Sequence, residues 1–468
     1  MKEGINHLGV IILAAGLGKR MNSSLPKVLH CIGGQPLFSY PVKIARSLNP
    51  KKIAVVVGHG AESVRQACSD EGIHWVLQEK QLGTGHAADC AKEIFRDFSG
   101  HLLILSGDVP LITRDCLLRL LRHHGEENAT LTFVTARLSD PYGYGRILRD
   151  AEGKVIGIVE EKDATDVEKK STEINAGIYA VSSDFLFPAL QNVTNSNRQK
   201  EYYLTDIVAA ALNAGKRVGT VEAEDAREIM GINTREELAL MEKILQERIN
   251  LKWMEAGVTL KDPQTTYIDE GVKIGKDTII GPNTHLLGDT VIGERCRIDG
   301  TAYLTNMRLA NDVHLKFSVV MTDSQVEDGA IIGPFAHLRP GTHLGPRVHL
   351  GNFVEAKQAT IGEGSKANHL SYLGDVTVGR DANIGAGTIT CNYDGFKKYR
   401  TTIGDRVQVG SDSTLVAPVS LGDDVYVATA TTIRHDVPAG ALVYNERVEN
   451  VKQGWTEEKR RKMKKVKA

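Results

Sequence analysis

The sequence predicts two folds in series, an α/β domain with a mainly parallel sheet and, after it, a parallel β-helix. Two observations lead to this prediction. In residues 1–232, short apolar runs alternate with longer polar stretches of helical spacing. In much of 274–433, an aliphatic residue returns at every sixth position. Alternating strands and helices are typical of α/β domains, and a short fixed period is typical of stacked coils.

The six-residue period predicts short strands that each turn one aliphatic side chain inward, with glycine at many corners. The predicted inward residues form three runs, separated by shifts of phase: Ile274, Ile280, Leu286, Ile292, Ile298 and Leu304; Val320, Val326, Ile332, Leu338, Leu344 and Leu350; and Ile403, Val409, Leu415, Leu421, Val427 and Ile433. A β-sandwich would show strand-length periods and irregular spacing instead. We therefore expect neighbouring coils to bury each other's side chains.

Apolar runs at 9–13, 53–57, 102–105 and 131–134 predict strands of the α/β domain. Their alternation with helical segments favours a Rossmann-like, mainly parallel sheet covered by helices. Ligands of such sheets bind at the carboxyl ends of strands. Polar residues that follow the runs are therefore the first candidates for a site.

A helix is predicted between the two folds. Thr234 and Glu237 have the spacing of a capping box, and apolar residues follow at intervals of three and four up to Trp253. We expect the helix to end at Gly257. We expect an α/β domain at 1–232, a linker helix at 233–257, the β-helix at 258–445 and a tail at 446–468. The tail is basic; we expect a solvated, frayed terminus, with binding of anions or nucleic acid as the alternative.

Composition narrows the class of protein. The 57 Lys and Arg balance 58 Asp and Glu, so nothing points to nucleic acid or a membrane as partner. No apolar run reaches the length of a membrane span. The six cysteines are scattered, without a C-x-x-C pair or a disulfide framework, which fits a reducing compartment. We therefore expect a cytoplasmic protein.

Small residues and cations follow the first predicted strand. The chain reads Leu13-Ala14-Ala15-Gly16-Leu17-Gly18-Lys19-Arg20-Met21 and then Leu25-Pro26-Lys27. Small residues let backbone amides approach phosphates, and Arg20 and Lys27 can neutralise their charge. A Walker A loop would end in Gly-Lys-Ser/Thr, and a dinucleotide fingerprint would have a third glycine where Met21 stands. The loop is therefore a different phosphate-binding element.

This loop and the motifs that follow it resemble the sugar nucleotidyltransferases, specifically the N-acetylglucosamine-1-phosphate uridylyltransferases. The further motifs are Gln78, Gly83-Thr84-Gly85, Ser106-Gly107-Asp108-Val109-Pro110, Gly143-Tyr144-Gly145-Arg146, Val159-Glu160, Asn175-Ala176-Gly177, Glu201-Tyr202-Tyr203-Leu204-Thr205-Asp206 and Gly231-Ile232-Asn233. The resemblance implies three groups of residues: Leu13, Ala14, Ala15, Gly16, Lys27, Gln78, Gly83 and Thr84 for UTP, with Gln78, Gly83 and Thr84 on the uracil; Asp108 and Asn233 for Mg²⁺; and Gly145, Glu160 and Asn175 for N-acetylglucosamine.

The position of Asp108 independently favours a metal ligand. It follows the run 102–105, so we expect it at the carboxyl end of a strand, where a hard oxygen suits Mg²⁺. The alternatives are a turn or N-cap carboxylate for Asp108 and a helix cap for Asn233. The implied reaction is an in-line attack of a sugar 1-phosphate oxygen on the α-phosphorus of UTP, which expels pyrophosphate. It needs positioning and charge neutralisation, which the metal, Arg20 and Lys27 can supply.

Polar residues also mark the corners of the predicted coil between 335 and 400. His369 is the candidate general base, because imidazole titrates near neutral pH and can take a proton from an amine. The candidates to orient it are Glu355, Asn383 and Asn392, and the candidates to bind a sugar phosphate are Arg339, Lys357 and Tyr372. Residues 391–400 break the period and predict a loop outside the coil. The alternatives are a hydrogen-bonded corner residue for His369 and a covalent acyl-cysteine at Cys391, for which no positioned base is evident.

These segments resemble the second half of the bifunctional N-acetylglucosamine-1-phosphate uridylyltransferase / glucosamine-1-phosphate N-acetyltransferase family, and the match runs the length of the chain. The resemblance implies a left-handed β-helix that forms a homotrimer and transfers acetyl from acetyl-CoA to glucosamine 1-phosphate. The implied acceptor residues are Arg339, Lys357, Tyr372, Asn383 and Glu355. The implied acetyl-CoA residues are Ala386, Asn392, Tyr393, Ser411, Thr429 and Arg447, with the Ala386 amide stabilising the tetrahedral oxyanion.

The chain departs from the family pattern at four positions. His337 stands where an arginine is usual, Asn368 where a glycine is usual and Thr429 where an alanine is expected. Arg447 aligns only after a one-residue insertion. These departures bear on the acyl-donor site and leave the reaction class unchanged.

Three hypotheses follow. The chain is a bifunctional enzyme, or a nucleotidyltransferase whose coil serves only trimerisation and regulation, or a scaffold without activity. Polar residues such as His369 and Lys357 favour the first hypothesis, because an inert coil has no need of them. A scaffold leaves Asp108, Arg20 and Lys27 unexplained.

Overall fold

A computed structural model describes residues 7–68, 72–446 and 448–465. The chain divides into two compact units, Met1–Ile249 and Asn250–Ala468. The four segments predicted from the sequence, 1–232, 233–257, 258–445 and 446–468, stay predictions.

The first unit is built on a nine-stranded sheet and a small two-stranded one. Their strands are β1 (Leu8–Ala14), β2 (Cys31–Ile32), β3 (Gln35–Pro36), β4 (Lys52–Val57), β5 (Ile73–Leu77), β6 (His101–Ser106), β7 (Leu131–Arg137), β8 (Arg146–Arg149), β9 (Val155–Val159), β10 (Glu173–Ser182) and β11 (Val218–Glu222). All four predicted apolar runs lie in strands, namely β1, β4, β6 and β7.

The order of the large sheet is β11-β7-β10-β6-β1-β4-β5, with the ribbon β8–β9 beside β10. β1 is parallel to β4 and β6, β4 to β5, and β7 to β11. β10 runs antiparallel to both of its neighbours on this path, β6 and β7. The sheet is therefore mainly parallel, as predicted, with one reversed strand in its middle.

Helices cover both faces of this sheet. They are α1 (Ser39–Ser47), α2 (Ala61–Gln66), α3 (Thr84–Cys90), α4 (Arg114–Glu126), α5 (Ser183–Leu190) and α6 (Asp206–Asn213). A seventh helix, α7 (Arg235–Glu255), follows them and runs from the first unit into the second. Val10 and Ile12 of β1 belong to one buried cluster and Ile11 to another, so apolar side chains leave both faces of the strand. This two-sided burial is the reason for the continuous apolar runs.

The start of α7 confirms the predicted capping box. The Thr234 hydroxyl accepts the Glu237 N–H at 3.1 Å, and the Glu237 carboxylate accepts the Thr234 N–H at 2.9 Å. Gly257, just beyond the helix, has φ +90°, a conformation that glycine adopts without strain.

The second unit is a stack of short parallel strands. In chain order they are β12 (Thr259–Leu260), β13 (Thr266–Ile268), β14 (Lys273–Ile274), β15 (Ile279–Ile280), β16 (Thr284–Leu287), β17 (Val291–Ile292), β18 (Arg297–Ile298), β19 (Ala302–Thr305), β20 (Arg308–Leu309), β21 (His314–Leu315), β22 (Val319–Thr322), β23 (Gln325–Val326), β24 (Ile331–Ile332), β25 (His337–Leu338), β26 (His343–Leu344), β27 (His349–Lys357), β28 (Thr360–Ile361), β29 (Lys366–Gly374), β30 (Val376–Val378), β31 (Asn383–Ile384), β32 (Ile389–Cys391), β33 (Thr401–Ile403), β34 (Gln408–Val409), β35 (Thr414–Val416), β36 (Val419–Leu421), β37 (Tyr426–Val427), β38 (Thr432–Ile433) and β39 (Leu442–Val443).

Each turn of the stack contributes to three faces. The first face runs from β14 to β36. The second face contains the row Ile331, His349, Lys366 and Asn383, and the third face the row His337, Glu355 and Tyr372. The long strands β27 and β29 run through the corner between the second and third faces, which we call the 2–3 corner. The architecture is the predicted parallel β-helix.

One predicted inward residue is wrong. Val320 is 45% exposed, and its neighbour Met321 is fully buried. Leu304 pairs with Met321 one turn later, and that turn is one residue shorter than the turn from Leu286 to Leu304. Counting back by sixes from Val326 therefore reaches the wrong side of β22. All the other predicted inward residues are buried.

The C-terminal segment is helical, so the predicted fraying is wrong for its described part. α8 (Trp455–Lys465) contains an ion pair between Lys462 and Glu458 at 2.6 Å, and Lys459 lies over the Trp455 ring. Contacts at i, i+4 stabilise an isolated helix in this way. The prediction of a solvated terminus is confirmed, since 455–463 are all exposed. None of the helices in the described residues has the length and apolar character that a membrane crossing requires.

Candidate functional site

A cleft of about 470 Å³ opens beyond the carboxyl end of β1. All the residues that the resemblance assigned to UTP line it, and Asp108 joins them: Leu13, Ala14, Ala15, Gly16, Lys27, Gln78, Gly83 and Thr84. Gly18 has φ +58°, and a Cβ there would lie 2.7 Å from the Lys27 Cβ. Glycine at this position therefore lets the lysine reach the cleft.

The two predicted metal ligands converge on one cation. Lys27 Nζ forms an ion pair with the Asp108 carboxylate and a hydrogen bond of 3.0 Å to Asn233 Oδ1. Asp108 follows β6, and Asn233 is held by its N–H, which donates to the Glu237 carboxylate. The turn that caps α7 therefore also positions Asn233 in the cleft.

These two oxygens fit a hard cation such as Mg²⁺. Within the described ranges, no group of three or more His, Cys, Asp or Glu could hold a metal ion. A metal at Asp108 and Asn233 would therefore complete its shell with water and phosphate oxygens, the usual arrangement for Mg²⁺ in phosphoryl-transfer sites.

Arg20 does not join this group. It is exposed in the 3₁₀ turn after Gly18, and in the described part of the chain it has no hydrogen bond or ion pair. Lys19 and Lys162 line the cleft instead. The sequence offered no signal for Lys162 beyond its place after Glu160.

A second cleft of about 200 Å³ adjoins the first and shares Asp108 and Thr84 with it. Gly145, Glu160 and Asn175, which the resemblance assigned to the sugar, all line it. Burial raises the pKa of Glu160, whose carboxylate accepts the Thr205 hydroxyl at 2.9 Å. The structure thus brings the three residues together, and their roles stay predictions.

A buried ion pair that the sequence reasoning missed holds the walls of this cleft. Arg146 is 2% exposed and bonds the Glu161 carboxylate at 2.7 Å. Glu161 also accepts the Gly143 N–H at 3.3 Å. The pair ties the segment of Gly145 to the segment of Glu160.

His369 lies exposed at the 2–3 corner. Its Nδ1 is 3.1 Å from Asn352 Oδ1 on the preceding turn. The predicted orienting residues Glu355, Asn383 and Asn392 make no hydrogen bond to His369 in the residues that the structure describes, and their role stays a prediction. The register explains why His369 contacts Asn352, because a side chain at a corner meets the residue one turn away.

Three cations gather at the corner between the third and first faces. Arg339 bonds Glu355 at 2.8 Å, and Glu355 stands one turn before Tyr372. Contact with the Lys398 ammonium, and then the charge of Arg339, lowers the pKa of Lys357. Such a cluster suits a phosphate. Lys398 lies in the predicted loop 391–400 and was missed.

The predicted acceptor residues are split between faces. Asn383 stands beside Lys366 in the row of the second face, whereas Glu355 and Tyr372 are on the third. A single chain therefore does not bring Asn383 to the cation cluster.

The predicted donor residues are split as well. Ala386, Ser411 and Thr429 occupy the 2–3 corner on successive turns, linked by the bonds Asp412 N–H to Ala386 O and Ala430 N–H to Ser411 O, both 2.7 Å. His369 lies one turn before Ala386 in the same corner. Asn392 and Tyr393 lie away from it in the loop 391–400, where Asn392 bonds the Asp375 carboxylate. Arg447 lies outside the described residues.

The other departures have distinct surroundings. His337 pairs with Glu355 on the next turn of the third face. The side-chain oxygen of Asn368, beside His369, is shielded from solvent and has no hydrogen-bond partner in the described chain. Thr429 is exposed.

Comparisons with known proteins agree with both halves. Residues 9–260 match the nucleotidyl transferase family. Residues 271–306 match the bacterial transferase hexapeptide (six repeats), and 400–433 the hexapeptide repeat of succinyl-transferase. The predicted fold class, with a left-handed β-helix of hexapeptide repeats in the second half, is therefore confirmed.

Relatives match this chain over nearly its whole length. The bifunctional protein GlmU of Geotalea uraniireducens (strain Rf4) is 49% identical over 96% of this chain and 99% of its own length. The proteins of the same name from Pelobacter propionicus and Geobacter sulfurreducens are each 48% identical, over 96% and 97% of this chain and 98% and 100% of their own. The chain is an enzyme with a nucleotidyltransferase half and an acyltransferase half. It belongs to the GlmU family of bifunctional proteins.

Proposed function

We propose that the chain acetylates glucosamine 1-phosphate with acetyl-CoA and then couples N-acetylglucosamine 1-phosphate to UTP, releasing pyrophosphate and forming UDP-N-acetylglucosamine. The observation that carries the proposal is the presence of two separate sets of functional groups. Lys27, Asp108 and Asn233 meet in one cleft, and His369 and Ala386 share the 2–3 corner of the coil.

In the first unit, the backbone amides after β1 and the Lys27 ammonium hold the triphosphate, while the smaller cleft holds the sugar. Mg²⁺ on Asp108 and Asn233 would neutralise charge on the phosphates. Attack of the sugar phosphate oxygen on the α-phosphorus then needs chiefly alignment, which two adjoining clefts provide.

In the coil, Asn352 Oδ1 accepts from Nδ1 of His369, which leaves Nε2 with the lone pair. Nε2 takes the proton as the amine nitrogen of glucosamine 1-phosphate bonds to the acetyl carbon. The carbon–sulfur bond breaks and CoA leaves as the thiolate. The Ala386 N–H has no acceptor in the described chain, so it is free to stabilise the oxyanion.

A homotrimer is part of the proposal. The rows facing outward carry exposed rings: Tyr267 and Tyr303 are 41% and 47% exposed, and Phe335 and Phe353, 47% and 56% exposed, stack at 5.4 Å. Exposed apolar rows of this kind suit contact between copies. A second copy would also bring the Asn383 row of one chain to the Tyr372 row of another.

Mixing two variants tests the trimer. Asn383→Ala and Lys357→Ala alter different faces, so each homotrimer lacks one half of every acceptor site. Co-refolded mixtures would contain some intact sites and recover acetyl transfer above either parent. Recovery no better than the average of the parents would contradict a site shared between copies.

The remaining details belong to the same proposal. None of the six cysteines, which all lie in the described residues, forms a disulfide bond, and this supports a cytoplasmic location. The division into 1–232, 233–257, 258–445 and 446–468 is also proposed. It is supported by α7 (Arg235–Glu255), which lies within the predicted linker helix, and by β12 (Thr259–Leu260), the first strand of the coil.

The first test is release of CoA thiol from acetyl-CoA and glucosamine 1-phosphate without UTP. We expect release that depends on the amino sugar. No release, with UTP-dependent pyrophosphate release intact, would make the coil a trimerisation or regulatory module.

A further inference from the structure

The side-chain amide of Gln78 is held from several directions. Gln78 is 2% exposed and lines the larger cleft. Its Nε2 is 3.1 Å from the carbonyl oxygen of Gly83 and 2.9 Å from Nδ1 of His86. Its main chain is also engaged, since its N–H donates to Val57 O and its carbonyl accepts from Gln81.

The chemistry of the neighbours fixes which end of the amide points where. A carbonyl oxygen only accepts, so the Gln78 atom beside Gly83 O is the nitrogen. The same NH₂ group faces His86, so Nδ1 of His86 is the acceptor and the ring proton lies on Nε2. Both hydrogens of the amide are then used, and Oε1 is the one polar atom of Gln78 left for a ligand.

His86 is well placed to keep this arrangement. It lies on α3, directly after the Gly83 turn, is half-buried, and its ring lies against Tyr202 with centroids 6.4 Å apart. Gly83 O also accepts the Ala87 N–H of the same helix, at 3.1 Å. The start of α3 therefore sets both acceptors of the Gln78 amide.

We propose that His86 is a positioning residue that selects uracil over cytosine by holding the Gln78 carboxamide with its oxygen toward the base. The inference rests on the proposed use of UTP. An amide oxygen accepts the N3–H of uracil, whereas N3 of cytosine carries a lone pair and repels it. Without the Nδ1 acceptor, one hydrogen bond instead of two opposes rotation of the amide, and the turned amide would present its NH₂ to cytosine.

The test is steady-state pyrophosphate release from UTP or CTP with N-acetylglucosamine 1-phosphate. In the full-length His86→Phe variant, which keeps a ring but loses the acceptor, we expect the KM for UTP to rise roughly three- to tenfold, the effect of one neutral hydrogen bond. The preference for UTP over CTP in kcat/KM should fall by a similar factor. The KM for the sugar phosphate and kcat at saturating UTP should change less than about twofold.

Two further variants separate positioning from a general structural role. His86→Asn retains an acceptor near the position of Nδ1, so it should restore the UTP preference. In a Gln78→Ala background, adding His86→Phe should change KM less than about twofold, because His86 acts through the amide. His74→Phe, on the exposed side of β5, is the matched control.

Equal effects of His86→Phe and His86→Asn, or additive effects of Gln78→Ala and His86→Phe, would overturn the positioning role. A rise of the KM for UTP together with the KM for the sugar phosphate would point to a disturbed fold and would also overturn the positioning role. A wild-type enzyme that releases no pyrophosphate from UTP would overturn the proposed function itself.

Discussion

The two candidate sites differ in what one chain provides. In the α/β unit, the predicted nucleotide and sugar residues line two adjoining clefts, and Gln78 and Asn175 are only 2% and 8% exposed. In the coil, His369 and Thr429 lie on the outside, and the predicted acceptor residues are on two faces. A sheet under helices leaves a crevice at its strand ends, whereas His369 and Thr429 lie on the exposed surface of the stacked turns. In the proposed homotrimer, another copy would supply the missing wall of the second site.

The largest expected effect separates the two activities. His369→Ala should lower acetyl transfer by roughly 10²- to 10⁴-fold, the contribution of a general base, and leave uridylyl transfer intact. Both rates are measured on one preparation, by thiol release and by pyrophosphate release. Equal loss of both would contradict two independent sites.

The reciprocal change is Asp108→Asn. It removes the charge that faces Lys27 and the proposed metal, so uridylyl transfer should fall by about 10²-fold or more, with acetyl transfer unchanged. Pyrophosphate release is followed across a Mg²⁺ titration. Asp115→Asn, exposed at the start of α4, is the control; a similar loss there would remove the special role of Asp108.

Acid should distinguish the stability of the two units. Burial, and then the charges of His101 and His123, lowers the pKa of His124 to about 4 from 6.5. His124 is fully buried between His101 and Thr132. Above pH 6.5, His124 is neutral in both the folded and the unfolded chain, so it does not lower the free energy of unfolding. As pH falls from 6.5 toward 4, only the unfolded chain gains this proton, so the first unit should lose about 3 kcal/mol.

Urea unfolding of the intact chain between pH 7.5 and 4.5 measures this loss, with separate probes for the sheet and the coil. Burial also lowers the pKa of His349 in the coil, but that histidine is only partly buried, so the larger part of the slope should belong to the first transition. His124→Gln should flatten that slope. A slope that persists in the variant would assign the acid sensitivity to other groups.

The smallest expected effect concerns the cap of α7. Thr234→Ala removes the acceptor for the Glu237 N–H and should cost about 1 kcal/mol of stability. Because Glu237 also holds the Asn233 N–H, uridylyl transfer should weaken while acetyl transfer does not. Thr234→Ser, which keeps the hydroxyl, is the control for thermal unfolding and for activity. Identical behaviour of the two variants would show that the hydroxyl is dispensable.

Much of the fold followed from the pattern of apolar residues. The six-residue period predicted the coil, and the alternation of continuous apolar runs with helical segments predicted the mainly parallel sheet. What periodicity could not give is turn length. Val320 and Met321 are both apolar, and only the pairing of Leu304 with Met321 decides which is buried. The reversal of β10 was also hidden, since a buried strand reads the same in either direction.

The residues of the two candidate sites also divide into those that the sequence predicted and those that it did not. Residues next to strand ends, such as Asp108, were predicted from the sequence because position along the strand sets their place. Partners across turns were not. Asn352 meets His369 and Lys398 meets Lys357 through register and loop path, which a linear spacing does not contain. Arg146 and Glu161 were missed because a buried pair has the composition of an exposed one.

The short turns of the coil have a consequence for how the chain acquires its structure. Each coil strand pairs with a segment less than about two turns before it in the chain. In the sheet, β7 pairs with β11 and β6 pairs with β10, and both partners come much later in the chain. Contacts between nearby segments form sooner than contacts that close long loops. During synthesis the β-helix can therefore grow turn by turn as the chain emerges, while the sheet is completed only when 218–222 is available. The β-helix is synthesised last, but its strands can pair as soon as each turn has been made.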